Sequence, residues 1–263
     1  MMSKELIRKG LKTDVVGKKL FVFESIDSTN SCAKTLAETG TPEGTVVLAD
    51  HQTSGKGRLG RAWISEPGCN LLFSIVLRPT LPKESSGLLA FFSAVFIARA
   101  LEKISHHPVE CKWPNDILIN GKKCCGILLE NSFTHDTLDF SVVGIGINVN
   151  QPTFDGDLNE RATSLFREYG TKIDRTKFVQ TLLREADTLL PSLKKGETKN
   201  IMDQWNQRCT MFGKPVTVSH GDDVVSGTAL GLNGAGGLII DTPAGQSTFY
   251  AGDVTIVQEK EGA

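Results

Sequence analysis

The fold and chemistry of this chain are organised around one short stretch, Gly55-Lys56-Gly57-Arg58-Leu59-Gly60-Arg61, which Trp63 follows after one residue. Three glycines alternate with three cations in it. Glycine lets a backbone approach a ligand closely, and the cations neutralise an anion that lies there. The stretch therefore favours a loop that wraps a phosphate or a carboxylate, although a solvated basic turn has the same pattern. The spacing of a P-loop, GxxxxGKS or GxxxxGKT, is absent.

The overall composition excludes several classes of protein. A length of 263 residues allows one large domain, or a medium domain with a small one. The net charge of -1 gives no bulk electrostatic reason to expect nucleic acid. The six cysteines form no CxxC pair and fit no zinc pattern, so reduced thiols in a cytoplasmic protein are expected. Without a signal peptide or a run of about 18 apolar residues, we expect no membrane partner.

The hydrophobic pattern predicts an α/β (α+β) protein in three parts. Residues 1–19 are short and polar, too few for a helix-turn-helix, and are predicted to be an extension. Residues 20–211 are predicted to form a mixed sheet packed with helices, and residues 212–263 a small β-barrel of short strands between turns. The predicted strands lie at 20–23, 45–49, 70–77, 109–113 and 140–150, with 215–218, 224–230, 237–240 and 254–257 in the small barrel. The predicted helices lie at 28–38, 84–104, 164–169, 174–190 and 201–209. The helix at 84–104 is apolar over most of its surface, which predicts a central packing helix.

A hairpin is predicted at Asn120-Gly121, because this dipeptide between two β-type runs is the strongest short hairpin signal. With a two-residue turn, period two places Lys123 on one face with Asp116 and Cys125, and Lys122 on the other face. The two adjacent lysines are therefore not equivalent. Either they form an exposed basic tip, or Lys123 has a role that Lys122 lacks, and the nearby carboxylate favours the second interpretation.

Two further patterns suggest contact with a ligand. Asp27-Ser28-Thr29-Asn30 begins a predicted helix, where these side chains either cap the helix or grip a polar head group. Gly144 and Gly146 lie inside a predicted strand, which indicates close approach by a ligand or another segment. They are not a dinucleotide fingerprint, because the third glycine and the following helix are missing.

Taken together and in this order, the motifs resemble those of biotin protein ligases. They are Asp27-Ser28-Thr29-Asn30, Gln52, the stretch 55–61 with Trp63, Lys112-Trp113-Pro114-Asn115-Asp116, Lys122-Lys123, 126–130 and Gly146-Ile147-Asn148. The resemblance runs from about residue 20 into the C-terminal part. It implies a catalytic domain related to class II synthetase-like and lipoate ligase folds, followed by an SH3-like barrel. Residues 1–19 are too few for a DNA-binding domain, which argues against the dual ligase–repressor members of the family, and DNA is not an expected partner.

The resemblance also implies a two-step reaction. Biotin would react with ATP, helped by Mg²⁺, to give biotinyl-5′-AMP and pyrophosphate. A lysine of a biotin carboxyl carrier protein domain would then take the biotinyl group and release AMP. No covalent enzyme nucleophile is required. A cytoplasmic location follows, and the resemblance allows a homodimer.

The matching positions give the implied site. The catalytic residues would be Lys123 and Arg58. The biotin-binding residues would be Ser28, Thr29, Asn30, Gln52, Lys56, Gly57, Arg58 and Lys123. The residues that bind ATP or the adenylate would be Gly55, Arg58, Arg61, Trp63, Asn115, Asp116, Lys123, Gly126 and Asn148.

The sequence departs from the family pattern at two positions, and two alternative functions stay open. Lys56 stands where many relatives carry arginine, which keeps the charge but loses the bidentate fork, and Leu59 replaces a cation found in some relatives. A lipoate or octanoyl ligase of the same fold is the nearest alternative, although such enzymes lack this basic loop. A biotin-binding regulator without catalysis is the other alternative, and it would show no ATP-dependent exchange.

Overall fold

Two β-sheets organise the protein in the computed structural model, which describes residues 2–104, 107–221 and 223–257. The helices are α1 (Lys4–Gly10), α2 (Thr29–Glu38), α3 (Leu88–Glu102), α4 (Leu158–Arg161), α5 (Leu165–Tyr169), α6 (Arg175–Lys194) and α7 (Thr198–Asn206). The strands of the larger sheet are β1 (Leu20–Ile26), β2 (Val46–Gln52), β3 (Leu71–Leu77), β4 (Val109–Lys112), β5 (Asp116–Ile119), β6 (Lys122–Thr134) and β7 (Thr137–Ile147). The strands of the smaller sheet are β8 (Pro215–His220), β9 (Asp223–Leu232), β10 (Leu238–Thr242), β11 (Gly245–Phe249) and β12 (Asp253–Ile256).

The larger sheet is mixed, as the sequence predicts. Its strand order is β1-β2-β3-β7-β6-β5-β4, with β1 and β2 parallel and every other neighbouring pair antiparallel. Strand β3 is buried along its whole length, because α3 and the main core cover one face and α2 covers the other. The N-terminus of α2 therefore lies over the central strands, where Asn30 contacts Ser74 of β3 and lies against Gly144 of β7.

Helix α3 is the central packing helix. The segment Lys83–Glu102 is long and apolar enough to cross a bilayer by composition, but 78% of it is buried inside the protein. The predicted helix begins at Glu84, whereas α3 begins at Leu88, because a 3₁₀ turn at Lys83–Ser85 precedes it. Burial of nearly every α3 side chain matches the apolar surface that the sequence predicts.

The N-terminal segment packs onto helix α6. Ile7 of α1 is fully buried, and the Asp187 carboxylate on α6 accepts hydrogen bonds from the backbone N–H groups of Asp14, Val15 and Val16 at 2.7–2.8 Å. One carboxylate therefore satisfies three backbone N–H donors in a segment that belongs to no helix or strand. Residue 1 lies outside the described residues.

The smaller sheet contains five antiparallel strands in the order β11-β10-β9-β8-β12. Within the described residues, β11 and β12 stand at opposite ends of this order, so the predicted SH3-like barrel is not confirmed. Strand β11 was absent from the sequence prediction. Residues 258–263 of the predicted C-terminal domain lie outside the described part of the chain.

The β5–β6 hairpin has the predicted tip but not the predicted register beyond it. Lys123 pairs with Leu118, as predicted. The register then shifts, so Cys125 pairs with Ile117 and Gly126 with Asp116. An extra residue in one strand changes the face of every residue that follows. The prediction that Cys125 shares the face of Lys123 is therefore wrong, and both Cys125 and Ile117 belong to the main core.

We expect Asp187→Ala to lower the free energy of unfolding by at least about 2 kcal/mol, because three backbone donors lose a charged acceptor. Urea denaturation would measure this change. Asp203→Ala is the matched control, since Asp203 makes only an exposed pair with Lys199 along α7 and should cost less than about 0.5 kcal/mol. Equal losses in the two variants would show that Asp187 does not hold the N-terminal segment.

Candidate active site

A cavity of about 280 Å³ brings together nearly all the predicted site residues. It lies where the N-terminus of α2, the loop at 55–63, the β5–β6 hairpin and the glycines of β7 meet. The predicted residues that line it are Ser28, Thr29, Asn30, Gln52, Lys56, Gly57, Arg58, Arg61, Trp63, Asn115, Asp116, Lys123, Gly126 and Asn148. Gly55 does not line the cavity. Among the lining residues that the sequence did not identify are Phe154, Leu158, Ala162 and Asp253.

The stretch 55–63, here called the basic loop, folds back on itself. The Gly57 N–H donates to the carbonyl of Arg61 at 2.7 Å, and the Trp63 N–H donates to the carbonyl of Gly55 at 2.9 Å. A Cβ atom at Gly55 would lie 2.5 Å from the Trp63 carbonyl oxygen, so this position has room only for glycine. Gly55 therefore closes the base of the loop.

One carboxylate, that of Asp253, pairs with both arginines of the basic loop. The Arg58 guanidinium donates to Asn115 Oδ1 at 3.0 Å and to the Gly252 carbonyl at 3.1 Å, and it lies 3.6 Å from Asp253 Oδ1. Arg61 pairs with the other Asp253 oxygen. Burial lowers the pKa of Arg58, and Asp253 and Asp116 oppose that shift. The C-terminal sheet thus supplies a counter-charge to the loop.

The hairpin presents Lys123 to the cavity. Its Nζ lies 2.6 Å from Asp116 Oδ1 and 5.8 Å from the Trp63 ring centre. The Thr163 N–H donates to the Lys123 carbonyl at 2.9 Å, and the Asn148 side chain donates to the Thr163 carbonyl at 3.0 Å. Asn148 therefore supports the backbone next to Lys123. Lys122 does not line the cavity, so the two lysines are unequal, as predicted.

The Trp63 indole lies against two glycines in the cavity wall. A Cβ atom at Gly126 would be 2.8 Å from the ring, and one at Gly146 would be 2.5 Å from it. The close approach that the sequence indicates at Gly146 is therefore made by the indole ring. The ring Nε1 is buried without a hydrogen-bond partner among the described residues. A flat aromatic surface thus forms one side of the cavity.

A second part of the cavity, here called its polar end, is lined by hydroxyl and amide side chains. The Thr29 N–H donates to Gln52 Oε1 at 2.7 Å, and Ser28 caps α2. Asn30 donates from Nδ2 to Glu130 Oε2 at 2.7 Å and accepts at Oδ1 from the Ser74 hydroxyl at 2.6 Å. Sequence reasoning gave Ser74 and Glu130 no role. The signal for Ser74 was a single hydroxyl inside the apolar run of β3.

The cysteines supply no reactive nucleophile. All six are free thiols, and burial raises the pKa of Cys111 to about 12 and that of Cys209 to about 11. A buried thiol with a raised pKa is a poor nucleophile, because the thiolate is the reactive form. The described residues also contain no group of three or more His, Cys, Asp or Glu that could hold a metal ion. The cations Lys56, Arg58, Arg61 and Lys123 in its lining suit the cavity to binding anions and stabilising their charge.

Known proteins resemble the chain in both of its domains. Residues 22–148 match the model of the "Biotin/lipoate A/B protein ligase family", and residues 211–257 match that of the "Biotin protein ligase C terminal domain". The bifunctional ligase/repressor BirA of Bacillus subtilis is 35% identical over 257 residues, covering 97% of this chain and 79% of the relative. The biotin–[acetyl-CoA-carboxylase] ligase of Paracoccus denitrificans is 32% identical over 234 residues, covering 87% and 96%.

A solved structure agrees with these relatives. The biotin protein ligase from Aquifex aeolicus in complex with biotin and ATP superposes with a TM-score of 0.77 at 32% identity. The alignment covers 92% of this chain and 100% of that one. The similarity therefore extends over both sheets described above.

We expect Asp253→Asn to loosen the basic loop, because Arg58 and Arg61 lose their shared counter-charge. Limited trypsin digestion followed by mass spectrometry should show cleavage after these arginines about five-fold faster, the factor that corresponds to about 1 kcal/mol. Asp241→Asn is the control, since Asp241 is an exposed residue of β10. Unchanged cleavage in Asp253→Asn would show that the ion pairs do not restrain the loop.

Proposed function

Since this chain belongs to the biotin protein ligases of the biotin/lipoate A/B protein ligase family, we propose that its cavity condenses biotin with ATP and passes the biotinyl group to a carrier lysine. The family assignment rests on relatives that match most of the chain. One of them, a biotin–[acetyl-CoA-carboxylase] ligase, is aligned over 96% of its own length. The chain is an ATP-dependent biotin protein ligase by this membership. The assignments of individual residues below are proposals.

The observation that carries the proposal is the placement of cations around one small cavity. Lys56, Arg58 and Lys123 all line it. A biotin carboxylate and the α-phosphate of ATP are both anions, and they can react only if nearby cations offset their repulsion. Lys123 is the proposed contact to both groups, and Arg58 stabilises the phosphate side. As the carboxylate oxygen bonds to phosphorus, pyrophosphate leaves and biotinyl-5′-AMP remains.

The polar end of the cavity is the proposed site of the biotin ring system. Ser28, Thr29, Asn30 and Gln52 gather there at the N-terminus of α2. Hydroxyl and amide groups suit the ureido ring, which offers both N–H donors and a carbonyl acceptor. Gly57 and Lys56 of the basic loop would close this end.

The aromatic side of the cavity is the proposed nucleotide site. The Trp63 indole offers a face for the adenine ring, and Arg61, Asn115 and Asn148 line the same cavity. Gly126 keeps the wall flat, and Gly55 holds the loop in shape. These roles extend the sequence assignment and are supported by the shared cavity.

Mg²⁺ would accompany the triphosphate rather than occupy an all-protein site. Mg²⁺ commonly binds through one or two carboxylates together with substrate phosphates. Asp116 lines the cavity and is the carboxylate that would share the ion. When bound, the ion would neutralise phosphate charge.

The second step requires a protein substrate. We propose that it is a biotin carboxyl carrier protein domain of a biotin-dependent carboxylase, whose lysine amine attacks the acyl carbon and releases AMP. The basic loop would shield the hydrolysable intermediate from water until the carrier arrives. A homodimer and a cytoplasmic location stay predictions.

Two measurements test the proposed reaction as a whole. Pyrophosphate–ATP isotope exchange should depend on biotin and not on lipoate, which separates the ligase from its lipoate-specific counterpart. Mass spectrometry after incubation with biotin, ATP and a carrier domain should show one added biotinyl group on one carrier lysine. Exchange that depends on lipoate alone would overturn the assignment, and biotin binding without exchange would favour the regulator.

We expect Lys123→Ala to lower the rate of adenylate formation by at least about 100-fold, the scale of losing one preorganised charge stabiliser. Lys122→Ala is the matched control and should change the rate by less than about three-fold, since Lys122 lies outside the cavity. Pyrophosphate exchange measures both. Equal losses would contradict the different roles of the two lysines.

We expect Arg58→Ala to release biotinyl-5′-AMP faster, by about ten-fold, because the loop loses a charge-assisted contact to the phosphate. Escape of the labelled intermediate into solution during rapid dilution measures the rate. Arg8→Ala, on the exposed face of α1, is the control. Unchanged retention in Arg58→Ala would remove the loop from the proposed mechanism.

A further inference from the structure

A chain of hydrogen bonds behind the polar end of the cavity begins at a carboxylate. Glu130 on β6 places Oε2 2.7 Å from Asn30 Nδ2, and Asn30 Oδ1 lies 2.6 Å from the Ser74 hydroxyl on β3. Ser74 in turn lies 2.8 Å from Thr29 Oγ1. Thr29 lines the cavity, whereas Ser74 is fully buried behind it.

The carboxylate fixes the orientation of the Asn30 amide. An ionised carboxylate only accepts hydrogen bonds, so the nitrogen of Asn30 must face Glu130 and its oxygen must face Ser74. Gly144 leaves the space for this amide, since a Cβ atom there would be 2.1 Å from Asn30 Oδ1.

The orientation of the Asn30 amide determines how the Ser74 and Thr29 hydroxyl groups donate their protons. Asn30 Oδ1 only accepts, so the single proton of Ser74 is committed to it. Ser74 cannot also donate to Thr29. The Thr29 hydroxyl then has two protein acceptors for its own proton, Ser74 Oγ at 2.8 Å and Gln52 Oε1 at 3.0 Å. In both cases the lone pairs of Thr29 that remain can only accept a hydrogen bond from a ligand.

If the Asn30 amide were reversed, the direction of donation along this series of hydrogen bonds would reverse as well. Asn30 would donate to Ser74, Ser74 could donate to Thr29, and the Thr29 proton would become available to a ligand. The Glu130 carboxylate prevents this reversal although it does not line the cavity. It also lies 4.0 Å from Lys56 Nζ, which links the basic loop to the same group.

We propose that Glu130 and Ser74 are positioning residues that fix Thr29 as a hydrogen-bond acceptor and thereby select a ligand that presents an N–H group to it. This inference rests on the proposed function. A cyclic urea meets the requirement, whereas a dithiolane or an alkyl chain does not. The pair therefore contributes to the preference for biotin over lipoate or octanoate.

The test uses Ser74→Ala and the isosteric Glu130→Gln, which lets the amide at Asn30 face either way. Ser141→Ala is the first control, because its buried hydroxyl on β7 has no hydrogen-bond partner among the described residues. Glu110→Gln is the second control, because Glu110 on β4 accepts one side-chain hydrogen bond, from Thr210, outside the cavity. Melting temperatures of all four variants report general loss of stability.

We expect each positioning variant to raise KM for biotin about ten-fold in pyrophosphate exchange and to leave KM for ATP within about two-fold. The binding of desthiobiotin, which keeps the cyclic urea of biotin, should weaken by the same factor, while inhibition by lipoate should not change. The double variant should also raise KM for biotin about ten-fold, rather than about 100-fold, because both changes break the same series of hydrogen bonds.

Three results would overturn the inference. They are KM values for biotin equal to those of the controls, an equal weakening of lipoate inhibition, and additive effects in the double variant. A wild-type protein that shows no biotin-dependent exchange would instead overturn the proposed function, so the two failures are distinguishable.

Discussion

The cavity depends on holding several cations close together before any anionic substrate arrives. Each of these cations has a carboxylate partner on a different element: Lys123 has Asp116 on β5, Lys56 has Glu130 on β6, and the loop arginines share Asp253 on β12. Without such partners the cations would repel one another in a partly desolvated space. The partners also fix where each charge sits, so the cavity is organised in advance for two negative groups.

A second constraint is the absence of side chains at selected strand positions. Gly126 and Gly146 on neighbouring strands make room for the Trp63 ring, and Gly144 makes room for the Asn30 amide. Both ends of the cavity thus use glycine to let a functional side chain lie directly on the sheet. Because the sheet is rigid and buried on both faces at β3, these side chains have few alternative positions.

Local sequence signals predicted much of the fold and the residues that line the cavity. The mixed sheet, the buried helix α3 and the Asn120-Gly121 tip follow from periodicity and turn chemistry. The register shift near Cys125 does not, because a bulge changes side-chain faces without a local marker.

Contacts between residues that lie far apart in the sequence could not be predicted from local patterns. Asp253 lies almost at the opposite end of the chain from Arg58, and nothing near either residue reveals the pairing. Ser74 was visible as a lone hydroxyl in an apolar strand, but its partners come from α2. Glu130 lay within a matching motif, yet its contact to Asn30 depends on how the helix sits on the sheet.

The bonds from Arg58 to Gly252 and Asp253 have a practical meaning for anyone who wishes to shorten or fuse this enzyme. The peptide boundary near residue 211 looks like a natural place to cut, since one sheet ends before it and another begins after it. A fragment cut there would keep every strand of the larger sheet but would lack Asp253, the carboxylate that pairs with both Arg58 and Arg61. The second sheet therefore contributes a negative charge to a cavity whose strands all belong to the first.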